Sequence, residues 1–445
     1  FRYYIIIGFL RGKTNTTSIL FQSNYTYKEM KQNKFFIYFT ILFCLLLASC
    51  GIDKNLKKGE KFLALGEYYD AAEQFKQAYS KTPTKERAKR GERALKMAHC
   101  YEKINATPKA IAAYRNAIRY NQATIKDRLA YARQLLKNGD YKLAAQEFRI
   151  VLDSLPNDVL AQNGLKSALK APEWKKQGSR YTVKRMDVFN SRRDDYSPVL
   201  FGDDYDQLYF SSTRNEAAGD ELSGITGTKA GDIFLSEKDD KGKWSKPEAI
   251  GTGLNTEYDE GACCFTPDGR DMYLTQCVTD PSSPRYAKIV TSPRSDAAWG
   301  KTNKLEITKD TLSSYAHPAI SPDGEWLYFV SDMPGGMGGL DIWRVRITAA
   351  GLGGVENLGE PINTPGDEMF PTFRPNGDLY FSSNGHVGMG GLDIYIAKVD
   401  AKTKKYKLFH PGYPLNSEAD DFGMTFEGVH NRGYFASNRN DGRGW

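Results

Sequence analysis

The heptapeptide GMGGLDI occurs twice, at Gly336 to Ile342 and at Gly388 to Ile394. Glycines at this spacing can bring backbone N–H groups close to a phosphate, so a nucleotide site is the first chemistry to consider. However, a dinucleotide fingerprint needs a third glycine that opens a helix, and here the sixth position is Asp341, which begins a predicted strand. No Lys-Ser or Lys-Thr follows either copy, which argues against a P-loop. We therefore interpret the glycines as a structural loop between strands, in which the aspartate accepts hydrogen bonds from loop amides.

Other catalytic and metal-binding patterns are missing from the sequence. It contains no Gly-x-Ser-x-Gly, no His-Glu-x-x-His and no calcium-binding loop, and its histidines are scattered without ligand spacing, namely His99, His317, His386, His410 and His430. Carboxylates are numerous, but number alone identifies no acid–base pair. The sequence therefore predicts a protein that is not an enzyme, with no catalytic residue, metal or cofactor, although enzyme chemistry stays possible.

The N-terminal region has the organisation of an export signal. We interpret residues 1–29, which precede the first methionine, as upstream non-native translation, and residues 30–49 as a signal peptide. Its apolar run, residues 35–47, is too short for a helix that crosses a hydrocarbon core of about 30 Å. The sequence "LASC" that ends at Cys50 resembles the bacterial lipobox, and this resemblance implies that Cys50 is diacylated. The alternative is a secretory signal with a cysteine there by coincidence.

The position of Cys50 predicts a location. Several acyl chains hold a protein on a membrane durably, whereas one chain does so only marginally. Because Gly51 rather than an aspartate follows the cysteine, the resemblance favours the outer membrane, with the chain facing the periplasm.

Charge divides the rest of the chain into two parts. Residues 51–180 carry 27 basic and 14 acidic side chains, a net charge of +13, and residues 181–445 carry 28 basic and 39 acidic ones, a net charge of −11. An exported chain without a recognition motif is not expected to bind nucleic acid. The shift in composition predicts a helical domain at residues 50–171, a linker at 172–180 and an all-β domain at 181–445.

The cysteines do not form a disulfide framework in a chain of this length. Cys44 would be removed with the signal peptide, and Cys100 falls in an apolar helical pattern that predicts a core position. Whether one disulfide bond forms among Cys263, Cys264 and Cys277 is an open question at this point.

A repeated frame predicts helix pairs in the basic half. The pattern G-x-Y-x-x-A-x-x-x-F-x-x-A starts at Gly66 and at Gly139, and part of it returns from Ala110. Small residues let two helices approach closely opposite a bulky aromatic ring. The pattern resembles tetratricopeptide (TPR) repeats over residues 55–169, which implies an α-solenoid of about three repeats, and we predict a capping helix at residues 158–169.

The TPR resemblance also implies a partner-binding groove. Mapping the family's inward-facing positions onto this chain gives a cationic set suited to an acidic segment or a terminal carboxylate: Lys96, His99, Lys103, Lys126, Arg133 and Lys137. The alternative is that these are ordinary solvated helix residues.

Short alternating runs in the acidic half predict many strands. Tyrosine-containing runs recur at Tyr209, Tyr273, Tyr328, Tyr380 and Tyr434. The turns TPDG, SPDG and RPNG precede three of them and predict hairpin tips. Asp-Ile-aromatic strands follow the glycine-rich loops, beginning at Asp232, Asp341 and Asp393.

A second repeated feature pairs an asparagine with an acid five positions later. The pairs are Asn190 with Asp195, Asn255 with Glu260, Asn363 with Glu368 and Asn416 with Asp421. We interpret these residues, with Asp341 and Asp393, as a structural signature of the repeat. Units of about 53 residues resemble blades of WD40-like PD40 β-propellers, and the fold class predicted is an N-terminal TPR α-solenoid followed by such a propeller.

The repeat period leads us to expect six blades. The fifth unit stops where its third strand is due, so we expect the chain to continue beyond Trp445, and we expect residues 181–189 to supply an outer strand that closes the ring.

Lipobox, TPR repeats and PD40 propeller in this order resemble the OmpA-family lipoproteins of Bacteroidota, which include a component of the type IX secretion system. The resemblance implies a periplasmic scaffold anchored in the outer membrane that binds envelope proteins, possible secretion components among them. By the same resemblance, we expect the scaffold to bind peptidoglycan only through an OmpA-like domain that lies beyond this sequence. The alternatives are a propeller accessory of a hydrolase and a glycan-capture lipoprotein on the cell surface.

Overall fold

The computed structural model describes residues 54–218, 222–251, 253–278, 286–296, 298–403 and 405–440. Within these ranges, seven helices precede nineteen strands, which form five sheets. No helix in them is both long and apolar enough to cross a bilayer. The upstream segment, the signal peptide and Cys50 lie outside the described residues.

The helices form a stack in which each of α2 to α6 contacts the next. They are α1 (residues 54–64), α2 (Tyr68–Lys81), α3 (Arg87–Lys103), α4 (Thr107–Arg119), α5 (Ile125–Lys137), α6 (Tyr141–Ser154) and α7 (Val159–Gln177). The repeated sequence frame supplies the buried face, because its alanines and central aromatic residues are fully buried: Ala71, Phe75, Ala110, Tyr114, Ala144 and Phe148. Burial of these apolar faces stabilises helices of only 13 to 19 residues, which would be marginal alone.

The closest helix contacts place glycine against an aromatic ring. A Cβ atom at Gly164 would lie 2.2 Å from the ring of Phe148, and one at Gly59 would lie 2.6 Å from Phe75. The small residue expected opposite each large aromatic side chain is therefore glycine, not alanine, at these two points.

Helix α7 is longer than the capping helix that the sequence predicts. It continues through Pro172 to Gln177, and Gly178, with φ +63°, follows it. Its last turn is stabilised by Trp174, whose ring stacks on His410 of the propeller with 4.5 Å between centroids. The predicted linker at 172–180 is thus largely helical, because tertiary packing offsets the helix-breaking tendency of the proline.

The acidic half consists of four blades and a two-stranded fifth sheet. The first blade contains β1 (Asp195–Phe201), β2 (Gln207–Ser212), β3 (Asp232–Glu237) and β4 (Glu248–Ala249), and the second contains β5 (Asp259–Phe265), β6 (Asp271–Val278), β7 (Tyr286–Ser295), β8 (Ala298–Trp299) and β9 (Asn303–Lys304). The third blade contains β10 (Tyr315–Ile320), β11 (Trp326–Ser331), β12 (Asp341–Thr348) and β13 (Gly351–Asn357). The fourth blade contains β14 (Glu368–Phe373), β15 (Leu379–Ser383), β16 (Asp393–Val399) and β17 (Tyr406–Phe409). The fifth sheet pairs β18 (Asp421–Phe426) with β19 (Gly433–Ser437).

The predicted turns and repeated tyrosines fall at equivalent places in the blades. TPDG, SPDG and RPNG join the first strand of a blade to the second, which confirms them as hairpin tips. Each repeated tyrosine lies in a second strand and packs with an apolar residue of the next blade's first strand. Ring contacts show this for Tyr209 with Phe265, Tyr328 with Phe373 and Tyr380 with Phe426. Tyr273 and Ile320 pack against one shared core cluster, and Tyr434 packs against the cluster that contains Leu200.

The contact of Tyr434, in the fifth sheet, with the cluster around Leu200, in the first blade, closes the ring. The first strands β1, β5, β10, β14 and β18 contact one another in that order, and β18 contacts β1. Across this junction Leu200 N donates to Thr425 Oγ1 at 3.1 Å. The first strands of the five described sheets therefore contact one another in a closed cycle, and the six expected blades are not confirmed.

Residues 181–189 form no strand, in contrast to the outer strand that the sequence predicts. Their contacts with the fifth sheet are made by side chains instead. Tyr181 packs against a core that includes Phe435, and the ring of Phe189 lies 5.5 Å from that of Tyr434.

Candidate partner-binding groove

The six cations predicted for the helical groove fall into two groups. Three are engaged by acids: Lys96 Nζ lies 3.2 Å from Glu60 Oε1, His99 Nε2 lies 2.7 Å from Asp127 Oδ1, and Lys137 pairs with Asp420. The other three have no side-chain hydrogen bond or ion pair within the described residues: Lys103, Lys126 and Arg133. Only this second group is available to a partner without breaking a contact.

Asp127 shows why His99 is held in place. Burial raises the pKa of this carboxyl, but hydrogen bonds from Thr124 and His99 outweigh burial and leave the pKa below its ordinary value. Asp127 therefore stays ionised, and it also forms a capping box with Thr124 at the start of α5. His99 is accordingly part of the helical packing.

Lys137 joins the helical stack to the propeller. Its Nζ lies 2.5 Å from Asp420 Oδ2, and it also donates to Asn105 Oδ1. Asn105 Nδ2 donates to the same carboxylate oxygen at 2.8 Å, and Leu392 N donates to Asp420 Oδ1 at 2.9 Å. Burial raises the pKa of Asp420, but the charge of Lys137 and these hydrogen bonds outweigh it, so the pKa lies below its ordinary value. The basic half of the chain thus binds an acid of its own propeller.

Further contacts from α7 reinforce this junction. Asn163 Nδ2 donates to Gly385 O at 2.9 Å, Gly388 N donates to Ser167 Oγ at 3.0 Å, and Lys175 Nζ lies 3.2 Å from Glu418 Oε2. A second attachment lies at the start of α2, where Tyr69 N donates to Gly224 O at 3.0 Å. The helical stack is therefore attached to the propeller through α2 at one end and through α7 at the other.

A cavity of about 690 Å³ lies between the stack and the propeller. Lys103 and Arg133 line its helical wall, and Asp367, His386 and Gly390 line its propeller wall. Asp367 is already bound, because it accepts hydrogen bonds from Leu340 N and Asn384 Nδ2. Lys103 and Arg133 share the lining with the acids Glu102, Asp332 and Asp393, but neither cation forms an ion pair with them in the described part of the chain.

The two GMGGLDI loops pack backbone against backbone. A Cβ atom at Gly338 would lie 2.3 Å from Thr364 O, and one at Gly390 would lie 1.8 Å from Glu418 O. Asp341 Oδ2 accepts from Met337 N, and Asp393 Oδ2 accepts from Met389 N at 2.9 Å. The glycines thus bring each loop against the segment that leads into the next sheet.

The signature asparagines act as clamps on these strands. Asn255, Asn363 and Asn416 each accept a hydrogen bond from the backbone N–H of the isoleucine in the Asp-Ile pair and donate one to its carbonyl. Asn190 makes no such pair of bonds in the described part of the chain, where the fifth sheet has only two strands.

The signature acids hold the turn that follows each asparagine. Asp195, Glu260, Glu368 and Asp421 accept from the backbone N–H of Ser191, Thr256, Thr364 and Ser417 at 2.6 to 3.0 Å. Burial raises the pKa of Glu260 and of Glu368 to about 7, in spite of hydrogen bonds from neighbouring hydroxyls. Burial likewise raises the pKa of Asp421 to about 6, although Arg439 opposes it. These carboxylates hold backbone in the blade interior and reach no open cleft.

The described residues contain neither a metal-ligand cluster nor a disulfide bond among their cysteines. No three His, Cys, Asp or Glu side chains in them are grouped as ligands of a metal ion. Cys100 is fully buried, and in the described ranges no disulfide joins Cys263, Cys264 and Cys277.

Sequence reasoning missed one repeated feature of the propeller. Each first strand has a bulge at which one residue has positive φ: Ser197, Ala262, His317, Phe370 and Gly423. A proline follows three of them, namely Pro198, Pro318 and Pro371. Proline inside a strand is a known signal of a bulge and could have identified the feature.

No protein-family model and no curated protein matches the chain. Solved structures similar to part of it include a Mycobacterium tuberculosis puromycin-hydrolyzing peptidase, with 17% identity over 53% of this chain and 41% of that one and a TM-score of 0.28. A second is an unknown function protein from Dyadobacter fermentans DSM 18053, with 14% identity over 51% of this chain and 67% of that one and a TM-score of 0.34. A third is a thermostable family-43 glycoside hydrolase, with 14% identity over 52% of this chain and 78% of that one and a TM-score of 0.34. This chain spans less than half the length of the peptidase.

Proposed function

We propose that the chain is a non-catalytic scaffold that binds partner proteins through a groove between its helical stack and its propeller. The observation that carries this proposal is the fixed junction around Lys137 and Asp420, which leaves Lys103 and Arg133 unpaired on the wall of a large cavity. A rigid, preformed cleft lowers the entropy cost of binding an extended segment.

The chemistry of the groove favours an acidic partner. The propeller's own Asp420 and Glu418 already pair with cations of the stack, so the surface has the geometry to accept carboxylates. Lys126 adds an exposed cation on the same helix as Arg133. The TPR resemblance supports the same conclusion, since it maps all three residues to the partner-binding side.

The cellular setting of the proposal depends on resemblance. A lipobox at Cys50 supports anchoring in the outer membrane with the chain in the periplasm. The order of modules supports membership of the OmpA-like lipoproteins and an association with type IX secretion, with peptidoglycan bound by a domain outside this sequence. Labelling cells with a palmitate analogue tests the anchor: wild type should be labelled and Cys50→Ala should not.

An acidic peptide tests the groove directly. A fluorescein-labelled hexaglutamate with a free carboxyl terminus should bind the chain, and fluorescence anisotropy should show weaker binding at 300 mM than at 50 mM salt. Replacing Lys103, Lys126 and Arg133 together by alanine should weaken binding at least about tenfold, since each lost charged contact costs about 1 kcal/mol or more.

The matched control removes three positive charges elsewhere on the stack. Lys81, Lys109 and Lys142 are exposed, and their alanine variants should bind the peptide like wild type. If both triple variants lose affinity equally, the net charge of the stack explains binding and the groove does not. If neither loses affinity, the groove is not the site.

A further inference from the structure

A second depression, of about 710 Å³, opens on the propeller at the end where the hairpin tips lie. The tips TPDG and SPDG, which lead into second strands, contribute to its wall. The helical stack is attached instead at the GMGGLDI loops, which follow the opposite ends of second strands. The depression is therefore independent of the partner-binding groove.

Large apolar side chains recur around the ring within a wall that also contains polar side chains. Three residues after each bulge comes a large apolar side chain, which gives Leu200, Phe265, Ile320, Phe373 and Phe426. The floor is aromatic: the rings of His317 and Phe370 stack at 3.8 Å between centroids, and Phe370 lies 4.7 Å from Phe422. A concave wall of this size that combines aromatic and aliphatic side chains with polar groups suits a small ligand or a short peptide.

Polar atoms without a partner lie among these apolar groups. Ser197 lines the depression and is only 4% exposed, yet its Oγ has no hydrogen-bond partner in the described chain. His317 is partly buried, but its Nδ1 is likewise without a hydrogen-bond partner in the described chain. Burial lowers the pKa of this imidazole to about 3, so the ring is neutral. Buried polar atoms normally find a partner, and a bound molecule with hydrogen-bonding groups would supply one.

The wall also contains a guanidinium with unused donors. Arg294 lies over two aromatic rings, 4.8 Å from the centroid of Phe201 and 5.7 Å from that of Trp299. Its side chain makes no hydrogen bond or ion pair within the described residues. Arg374, the other arginine of the wall, is instead occupied by the carbonyls of Val429 and His430. A guanidinium held flat on aromatic rings presents its donors in the fork that suits a carboxylate.

Two acids share the wall with Arg294. Asp268 accepts from Thr266 Oγ1 and Arg270 N and so belongs to its own turn, while Asp203 is exposed. Neither forms an ion pair with Arg294 in the described structure, so its guanidinium stays available.

We propose that this depression binds the C-terminal end of a short apolar peptide, with the terminal carboxylate on Arg294 and apolar side chains against the ring of Phe265, Phe373 and Phe426. Peptide N–H and carbonyl groups then supply the partners that Ser197 Oγ and His317 Nδ1 lack. A simple alkyl acid satisfies Arg294 but leaves both of these atoms without a partner.

Calorimetry with the whole chain tests the proposal. The probe is acetyl-Phe-Leu-Phe with a free carboxylate, compared with the same peptide as its C-terminal amide. The acid should bind at least about tenfold more tightly than the amide, since a charge-assisted hydrogen bond contributes more than a neutral one. Arg294→Gln should remove this difference and leave the affinity for the amide unchanged, and Arg294→Lys should retain part of it.

The control variant is Arg270→Gln, which removes an exposed arginine from the neighbouring TPDG turn and should bind both peptides like wild type. Unchanged melting temperatures will show that Arg294→Gln folds. Equal affinity for acid and amide, equal effects of the two glutamine variants, or no binding of either peptide would each overturn the proposal. Octanoate should bind more weakly than the peptide acid; equal affinity would overturn the assignment to a peptide.

Discussion

Lys137 Nζ lies 2.5 Å from Asp420 Oδ2, and the pair joins the end of α5 to the segment that enters the fifth sheet. Both side chains are largely buried, with 16% and 6% of their surfaces exposed. A buried ion pair is not automatically stabilising, but removing one partner leaves an uncompensated charge. This pair therefore determines how firmly the helical stack is held on the propeller.

We predict that Lys137→Ala lowers the free energy of unfolding by about 3 kcal/mol or more, because Asp420 then keeps a buried charge with only neutral donors. Lys175→Ala removes the neighbouring pair with Glu418, in which the lysine is 48% exposed, and should cost less than about 1 kcal/mol. Urea unfolding of both variants measures this difference. Adding Asp420→Asn to Lys137→Ala should recover part of the loss, and failure to do so would mean that the charge of Asp420 is not the cause.

The asparagine clamps give a second prediction. Asn363 is 1% exposed and satisfies both the N–H and the carbonyl of Ile342. Asn363→Ala should therefore cost about 1–3 kcal/mol, because it leaves the buried N–H of Ile342 without this partner, whereas the carbonyl still accepts from Leu358 N. Asn190 holds the same place in the sequence repeat without this pair of bonds, so Asn190→Ala should cost less than about 1 kcal/mol. Similar losses in thermal unfolding would show that the clamp contributes little.

The parts of the fold that could be predicted from the sequence are those with a local cause. An asparagine and an acid five residues apart act on backbone groups of their own repeat, so their spacing is visible in the chain. Hairpin tips such as TPDG are equally local, because proline and glycine determine the turn themselves.

The parts that could not be predicted depend on distant contacts. Nothing near Lys137 indicates that its partner is Asp420, and the charge difference between the halves predicts attraction without naming a pair. Closure of the ring by Leu200 and Tyr434 depends on the angle between sheets. Pro172 was a poor guide to the end of α7, because Trp174 gains its stabilisation from His410 in the other half.

The pKa of Glu368 predicts a pH dependence of stability. This pKa is raised from an ordinary 4.5 to about 7, so folding favours the protonated acid. Its contribution to stability is full below about pH 4.5 and is lost as the pH rises through 7. Wild type should therefore lose on the order of 3 kcal/mol of unfolding free energy over this window relative to Glu368→Gln, which cannot ionise, since each pKa unit corresponds to about 1.4 kcal/mol. Denaturant unfolding from pH 4.5 to 8 measures both curves, and parallel curves would contradict the prediction.

The glycines of GMGGLDI provide a test of the structural interpretation of that motif. Gly390 leaves no room for a Cβ atom, which would lie 1.8 Å from the carbonyl oxygen of Glu418, and this oxygen belongs to backbone that cannot rotate away. Gly390→Ala should therefore destabilise the protein by at least about 2 kcal/mol, because it forces two sheets apart. The control is Gly354→Ala on the exposed strand β13, where the added atom meets nothing within 4 Å and the cost should be within about 0.5 kcal/mol. Thermal unfolding separates the two variants. A Gly390→Ala protein that melts like wild type would show that the second glycine pair is not needed for packing between sheets, and the functional interpretation of the loop would then have to be considered again.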